Sequence, residues 1–130
     1  MLKTLIIIPA YNEQDAIKQV IENIKLNIDN TNTNICVIND GSTDNTLNIL
    51  SEIKDIIVLN LIQNLGIGGA VQAGYVYAFK NDYDIAIQID GDGQHNPIYI
   101  KDMMKKLDEE QLDMLIGSRF CEKLNIGKLL

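Results

Sequence analysis

Ile85-Ala-Ile-Gln-Ile-Asp90-Gly-Asp92-Gly-Gln94-His95-Asn-Pro97 is an apolar run that ends abruptly in two carboxylates one residue apart. Four of its first five residues are aliphatic and a glycine turn signal follows at once, which predicts a buried strand. Asp90 and Asp92 then stand at the strand's carboxyl end, where ligands bind in open α/β sheets. Carboxylates this close repel each other unless positive charge lies between them. A hard divalent cation with oxygen ligands meets that demand.

The chain before this stretch repeats the same plan. Thr4–Ile8 is a short aliphatic run closed by Pro9 and predicts a first strand. Asn12 is placed to cap the next element, with Glu13 and Asp15 in its first turn favouring the helix dipole. Ala16, Ile17, Val20, Ile21, Ile24 and Ile28 recur at three and four, an amphipathic helix. A polar loop, 29–34, leads to a second strand over Ile35–Ile38, which ends in Asn39-Asp40-Gly41-Ser42-Thr43-Asp44. A helix with Leu47, Leu50 and Ile53 on its inner face follows, then a third strand over Ile56–Leu61. Asn64-Leu-Gly66-Ile-Gly68-Gly69-Ala70 opens a helix running to about Phe79, and 81–84 turns into the stretch quoted above.

Beyond it, Pro97 suits the first turn of a fourth helix carrying Ile100, Met103, Met104 and Leu107 on one face. Leu112–Ile116 predicts a fifth strand, followed by Gly117-Ser118-Arg119-Phe120, after which the pattern runs out. Strands and helices alternate, and the strands are aliphatic without polar alternation. The fold class expected is therefore α/β, a mainly parallel sheet with helices on both faces.

Composition narrows the function. One domain is expected from 130 residues. A net charge of −7 opposes a nucleic-acid groove, which needs a basic patch, and disfavours broad binding to anionic lipid. Cys36 and Cys121 form no CxxC pair and read as buried or idle thiols, and no secretory leader is read, which together fit a reducing compartment. No run reaches the ~20 apolar residues of a membrane span. The expected location is the cytoplasm, including the cytoplasmic face of the membrane as a peripheral protein.

Other site types fail on particular residues. An EF-hand loop starting at Asp90 would need glycine where His95 stands and glutamate where Lys101 stands. Gly66-Ile-Gly68-Gly69-Ala70-Val71 approaches a dinucleotide fingerprint, but Val71 occupies the third small position and the segment follows the third strand. No GxxxxGK[ST] loop occurs, and His95 has no nucleophile at a recognisable elbow. What remains is a set of polar clusters at the ends of three strands: Pro9–Glu13, Asn39–Asp44 and Asp90–His95. In a parallel sheet those ends share one edge, so the clusters are expected to converge.

These three clusters, with Gly117-Ser118-Arg119-Phe120 and the glycine-rich 64–74 segment, resemble the family 2 glycosyltransferases of GT-A (Rossmann-like) fold. The Gln94-His95-Asn-Pro97 continuation is similar to the dolichol- and polyprenyl-phosphate mannosyl- and glucosyltransferase branch. The resemblance implies that Pro9, Ala10, Tyr11 and Glu13 line a nucleotide pocket, with Asp40, Gly41, Gly68 and Asp90 completing it. It implies Asp92 and Gln94 as ligands of Mg²⁺ or Mn²⁺, and Asp90, Asp92 and Arg119 as the residues at the diphosphate where reaction occurs. The implied partners are a GDP- or UDP-sugar donor and a lipid-phosphate or cell-surface glycan acceptor. The implied chemistry is an inverting transfer of a hexose.

The sequence departs from the family pattern in two ways. Asn39 stands where the family carries an acidic residue, and family catalytic domains continue well past the Gly-Ser-Arg segment. The 1–130 chain is therefore expected to be the donor-binding half, weakly active or inactive alone, and to form a homodimer through an exposed sheet edge. Two other readings stay open. One is a sugar nucleotidyltransferase, which would need a basic glycine-rich loop after the first strand. The other is a non-catalytic or remnant sugar-nucleotide-binding domain.

Overall fold

A computed structural model describes residues 2–28, 31–91, 114–116 and 125–127. In chain order the elements are β1 (Thr4–Ala10), α1 (Ile17–Leu26), β2 (Thr33–Asp40), α2 (Thr46–Ser51), β3 (Ile57–Leu61), α3 (Gly66–Lys80), β4 (Ile85–Gln88), β5 (Met114–Ile116) and β6 (Asn125–Gly127). Four strands form one all-parallel sheet in the order β3-β2-β1-β4. β5 and β6 pair separately and antiparallel.

β1 sits inside this sheet, which is why it is an unbroken aliphatic run. Ile6, Ile8 and Ala10 face one side, against Ile17, Val20, Ile21 and Ile24 of α1 and Leu50 of α2. Leu5 and Ile7 face the other, where α3 packs through Ala70 and Ala78. Alternate residues of a strand point to opposite faces, so a two-sided core requires apolar residues at every position. The small residues Ala70, Gly74 and Ala78 form the buried line of α3. They bring the helix close: a Cβ at Gly74 would lie 2.5 Å from Ile7 Cγ2. Cys36 belongs to the same layer, and burial pushes its thiol up to about 12, which leaves it unreactive as a nucleophile.

Several elements differ from expectation. β1 runs through Pro9 to Ala10. Ile7 accepts from the Ile89 N–H at 2.9 Å, so alternate residues of β1, Pro9 among them, turn their polar groups toward β4. Pairing with β4 has already ended at Gln88, so the missing N–H of Pro9 costs no ladder bond. β2 begins earlier than its apolar run, because Thr33 and Asn34 already pair with Thr4 and Leu5. α2 is a single short helix whose inward line is Thr46 and Leu50, while Leu47 is 41% exposed. The buried Thr46 hydroxyl sets that rotation through contacts described below. β6 carries no apolar run, and the sequence pattern does not predict it. The helix expected from Pro97 and the Gly117–Phe120 segment lie outside the described residues.

Candidate functional site

All four strands of the parallel sheet end on one edge, so the loops after β1, β2 and β3 and the residues after β4 meet there. The loop after β1 turns at Asn12, whose φ of 52° is left-handed, a conformation asparagine tolerates better than most residues. Asn12 does not cap α1. The residue at that position is Ala16, with no side-chain cap bond, and the first turn of α1 carries no acidic residue.

Instead the Asn12 side chain reaches across to the loop after β2. Its Oδ1 accepts from the backbone N–H of Thr43 at 2.8 Å and of Asp44 at 3.2 Å, and the backbone N–H of Asn12 donates to Ser42 Oγ at 3.0 Å. A second tie runs alongside. The Glu13 N–H donates to Thr46 Oγ1 at 3.0 Å, and the Thr46 hydroxyl donates to Asp44 Oδ1. Asp44 also accepts from the N–H of Thr46 at 2.9 Å and of Gln14 at 3.4 Å.

A third loop joins through Asp40, which is 3% exposed at the end of β2. Its carboxylate accepts from the Leu65 N–H at 2.7 Å, and its carbonyl accepts from Asn64 Nδ2 at 3.1 Å. Gly41 has φ +68°, and a Cβ there would lie 2.5 Å from Asn64 N and 2.7 Å from Gln63 C. Beside it Asn39, also buried, donates from Nδ2 to Asn60 Oδ1 at 3.1 Å. Leu65 leads directly into α3, so Gly68 lies in the exposed first turn of that helix. Asp90 comes in from the opposite side. The backbone at Gly91 runs so close to β1 that a Cβ there would lie 3.1 Å from the Pro9 carbonyl oxygen.

The edge therefore gathers Pro9, Ala10, Tyr11, Glu13, Asp40, Gly41 and Asp90, with Gly68 at its border. Tyr11 is 45% exposed, an open aromatic face on the edge where Asp40 is buried. Asp92, Gln94 and Arg119 lie outside the described residues. Among the described residues no group of three or more His, Cys, Asp or Glu could hold a metal ion. Of the aspartates after β4, Asp90 alone is described, and its oxygen donors suit Mg²⁺ or Mn²⁺. Thr46 escaped the sequence reading. Its signal was Asp44 two residues earlier, a spacing at which the carboxylate bonds the following backbone.

The Asp44 carboxyl is held below its ordinary 3.8: burial works against its charged form, but hydrogen bonds from Thr46 and Gln14 prevail. A depressed carboxyl stabilises the fold above its unfolded value and loses that contribution as pH falls through the folded value. Parent protein is thus expected to melt above Asp44→Ala at pH 7, with the gap narrowing below about pH 3.8. A gap independent of pH, measured by thermal melts from pH 7 to pH 2.5, would refute this role.

Comparison with known proteins follows the same outline. Residues 5–128 match the family model described as glycosyl transferase family 2. The chain is 33% identical over 130 residues to a UDP-N-acetylglucosamine–dolichyl-phosphate N-acetylglucosaminyltransferase of Methanococcus voltae, covering 88% of this chain and 51% of that protein. It is 28% identical to the polyprenol monophosphomannose synthase of Mycolicibacterium smegmatis, covering 91% of this chain and 45% of that one. Among solved structures, S. aureus TarS 1-349 in complex with UDP-GlcNAc superposes with a TM-score of 0.69 at 25% identity, over 85% of this chain and 32% of TarS. The chain spans about half the length of these curated relatives. With a parallel sheet covered on both faces, three strand-end loops on one edge and a family match over nearly all its length, the chain belongs to glycosyl transferase family 2, in the GT-A fold.

Proposed function

We propose that this chain binds a nucleoside-diphosphate sugar along the carboxyl edge of its sheet and serves the transfer of that sugar to a polyprenyl phosphate. The observation that carries the reading is the convergence of Tyr11, Glu13, Asp40 and Asp90 on one edge, in a chain of this family. The relatives from M. voltae and M. smegmatis carry names that specify lipid-phosphate acceptors, and TarS was solved with UDP-GlcNAc.

In this reading Tyr11 stacks on or beside the base, and Asp40 accepts a hydrogen bond from it. Asp90, with Asp92, Gln94 and Arg119 as the family resemblance implies them, would serve the diphosphate. A Mg²⁺ or Mn²⁺ ion held by Asp92 and Gln94 would neutralise charge developing on the leaving diphosphate. The acceptor oxygen attacks the anomeric carbon from the opposite side and inverts it. The new C–O bond forms as the bond to the nucleoside diphosphate breaks, and that group leaves with the electron pair. A lipid phosphate is already anionic, so the attack requires no general base. Among the described residues no helix is long and apolar enough to cross a membrane. A lipid-phosphate acceptor would bring the protein to the cytoplasmic membrane face as a peripheral protein.

Calorimetric titration with UDP-GlcNAc and GDP-mannose, with and without Mn²⁺, tests this directly. One donor is expected to bind, and Mn²⁺ is expected to tighten binding by about tenfold or more. Asp92→Ala should abolish the gain from Mn²⁺ while leaving metal-free binding in place. Failure of both donors to bind would end the reading. Binding without product, once polyprenyl phosphate is added, would favour a non-catalytic donor-binding domain.

A further inference from the structure

The Asn12 and Thr46 contacts place two residues outside the expected nucleotide and metal sets across the seam between the first two site loops. Asn12 stands between Tyr11 and Glu13, and its bonds run to Ser42, Thr43 and Asp44. Thr46 is fully buried, receives the Glu13 N–H and donates to Asp44. The Asn12 Oδ1 and the Thr46 hydroxyl are both engaged across or beside the seam. Both fix where their neighbours stand.

We propose that Asn12 and Thr46 are positioning residues that latch the loop after β1 to the loop after β2, holding Tyr11 and Glu13 at a set distance from Asp40. This rests on the donor-binding reading above. The physical reason is that without Asn12 and Thr46 the seam keeps only the contacts of Gln14 with Asp44 and Asn45. Rotation at Asn12, in its left-handed conformation, would move Tyr11 and Glu13 relative to each other. Four hydrogen bonds across the seam, each with a loop backbone N–H as donor, remove that freedom before any ligand arrives, and the Thr46 hydroxyl's bond to Asp44 fixes its own side of the seam. Pre-organised sites bind more tightly because the ordering cost is met during folding.

The test uses three variants and two probes, UDP and GDP, titrated well below each variant's melting temperature. Asn12→Gly keeps the left-handed backbone and removes the side-chain acceptor. Thr46→Val keeps the shape and removes the hydroxyl, while Thr46→Ser restores the hydroxyl. Asn12→Gly and Thr46→Val are each expected to weaken binding of whichever nucleotide the parent takes by about tenfold. Thr46→Ser is expected to stay within about twofold of the parent, and the double variant to lose less than the product of the two single losses. Amide exchange without nucleotide should quicken at Glu13 in Thr46→Val, and at Thr43 and Asp44 in Asn12→Gly.

Variants that melt lower yet bind like the parent would overturn the inference and leave donor binding standing, because residues with a merely structural role lower stability without moving affinity. Unchanged exchange at those amides would overturn it as well. A parent that binds neither UDP nor GDP would remove the donor-binding reading, and the inference with it.

Discussion

Gly41→Ala is expected to lower the unfolding free energy by about 3 kcal/mol or more. Two costs add at this position. A φ of +68° is left-handed, and an alanine held there is strained by about 1–2 kcal/mol. The new Cβ would also stand 2.5 Å from Asn64 N and 2.7 Å from Gln63 C, which are backbone atoms with no rotamer to yield. Relief requires moving the 63–65 segment, whose Leu65 N–H is bonded to Asp40. Urea unfolding followed by circular dichroism measures the loss through the midpoint, with an unchanged slope. A loss under about 1 kcal/mol would mean that the loop after β3 relaxes freely. The fastening of the loops after β2 and β3 would then be weaker than the structure indicates.

The second large effect belongs to Asp40. Asp40→Ala removes the acceptor of the Leu65 N–H at a site that is 3% exposed. An unpaired N–H in such a place costs about 1–3 kcal/mol. Under the proposed reading it also removes the acceptor for the base, and nucleotide affinity should fall by about 10- to 100-fold. Asp40→Asn separates the two roles, since an amide oxygen can still accept from Leu65 while the charge is gone. Its stability should stay near the parent's, with nucleotide binding weakened. Parent-like affinity in Asp40→Ala would exclude Asp40 from the nucleotide site.

The architecture was legible because each strand of the parallel sheet is apolar on both faces and each helix but one shows its inner line. β1, β3, β4 and α3 sit within two residues or so of where the aliphatic runs and glycine signals place them. The strand-end clusters were legible for the same reason, since parallel strands must end together. Long-range contacts were not. Asn12 looks like a helix cap from its neighbours, and its true partners, Thr43 and Asp44, lie some thirty positions away. Leu47 looks inward by spacing alone, but Thr46, anchored to Asp44 and Glu13, turns the short helix so that Leu47 faces solvent. The three residues of β6 pair with β5 without an apolar run of their own.

The strand order also dictates a folding schedule. β1 is the first strand made, yet one flank of it pairs with β4, where Thr4 lies beside Ile85. As the chain is synthesised, β1, β2 and β3 can associate once Leu61 has appeared. The opposite flank of β1 then waits, unpaired, until all of α3 and β4 have followed. Non-local pairing of this kind is slow, and an open strand edge invites other chains. Chains ending between Leu61 and Gln88 should therefore precipitate, and those reaching past β4 should not.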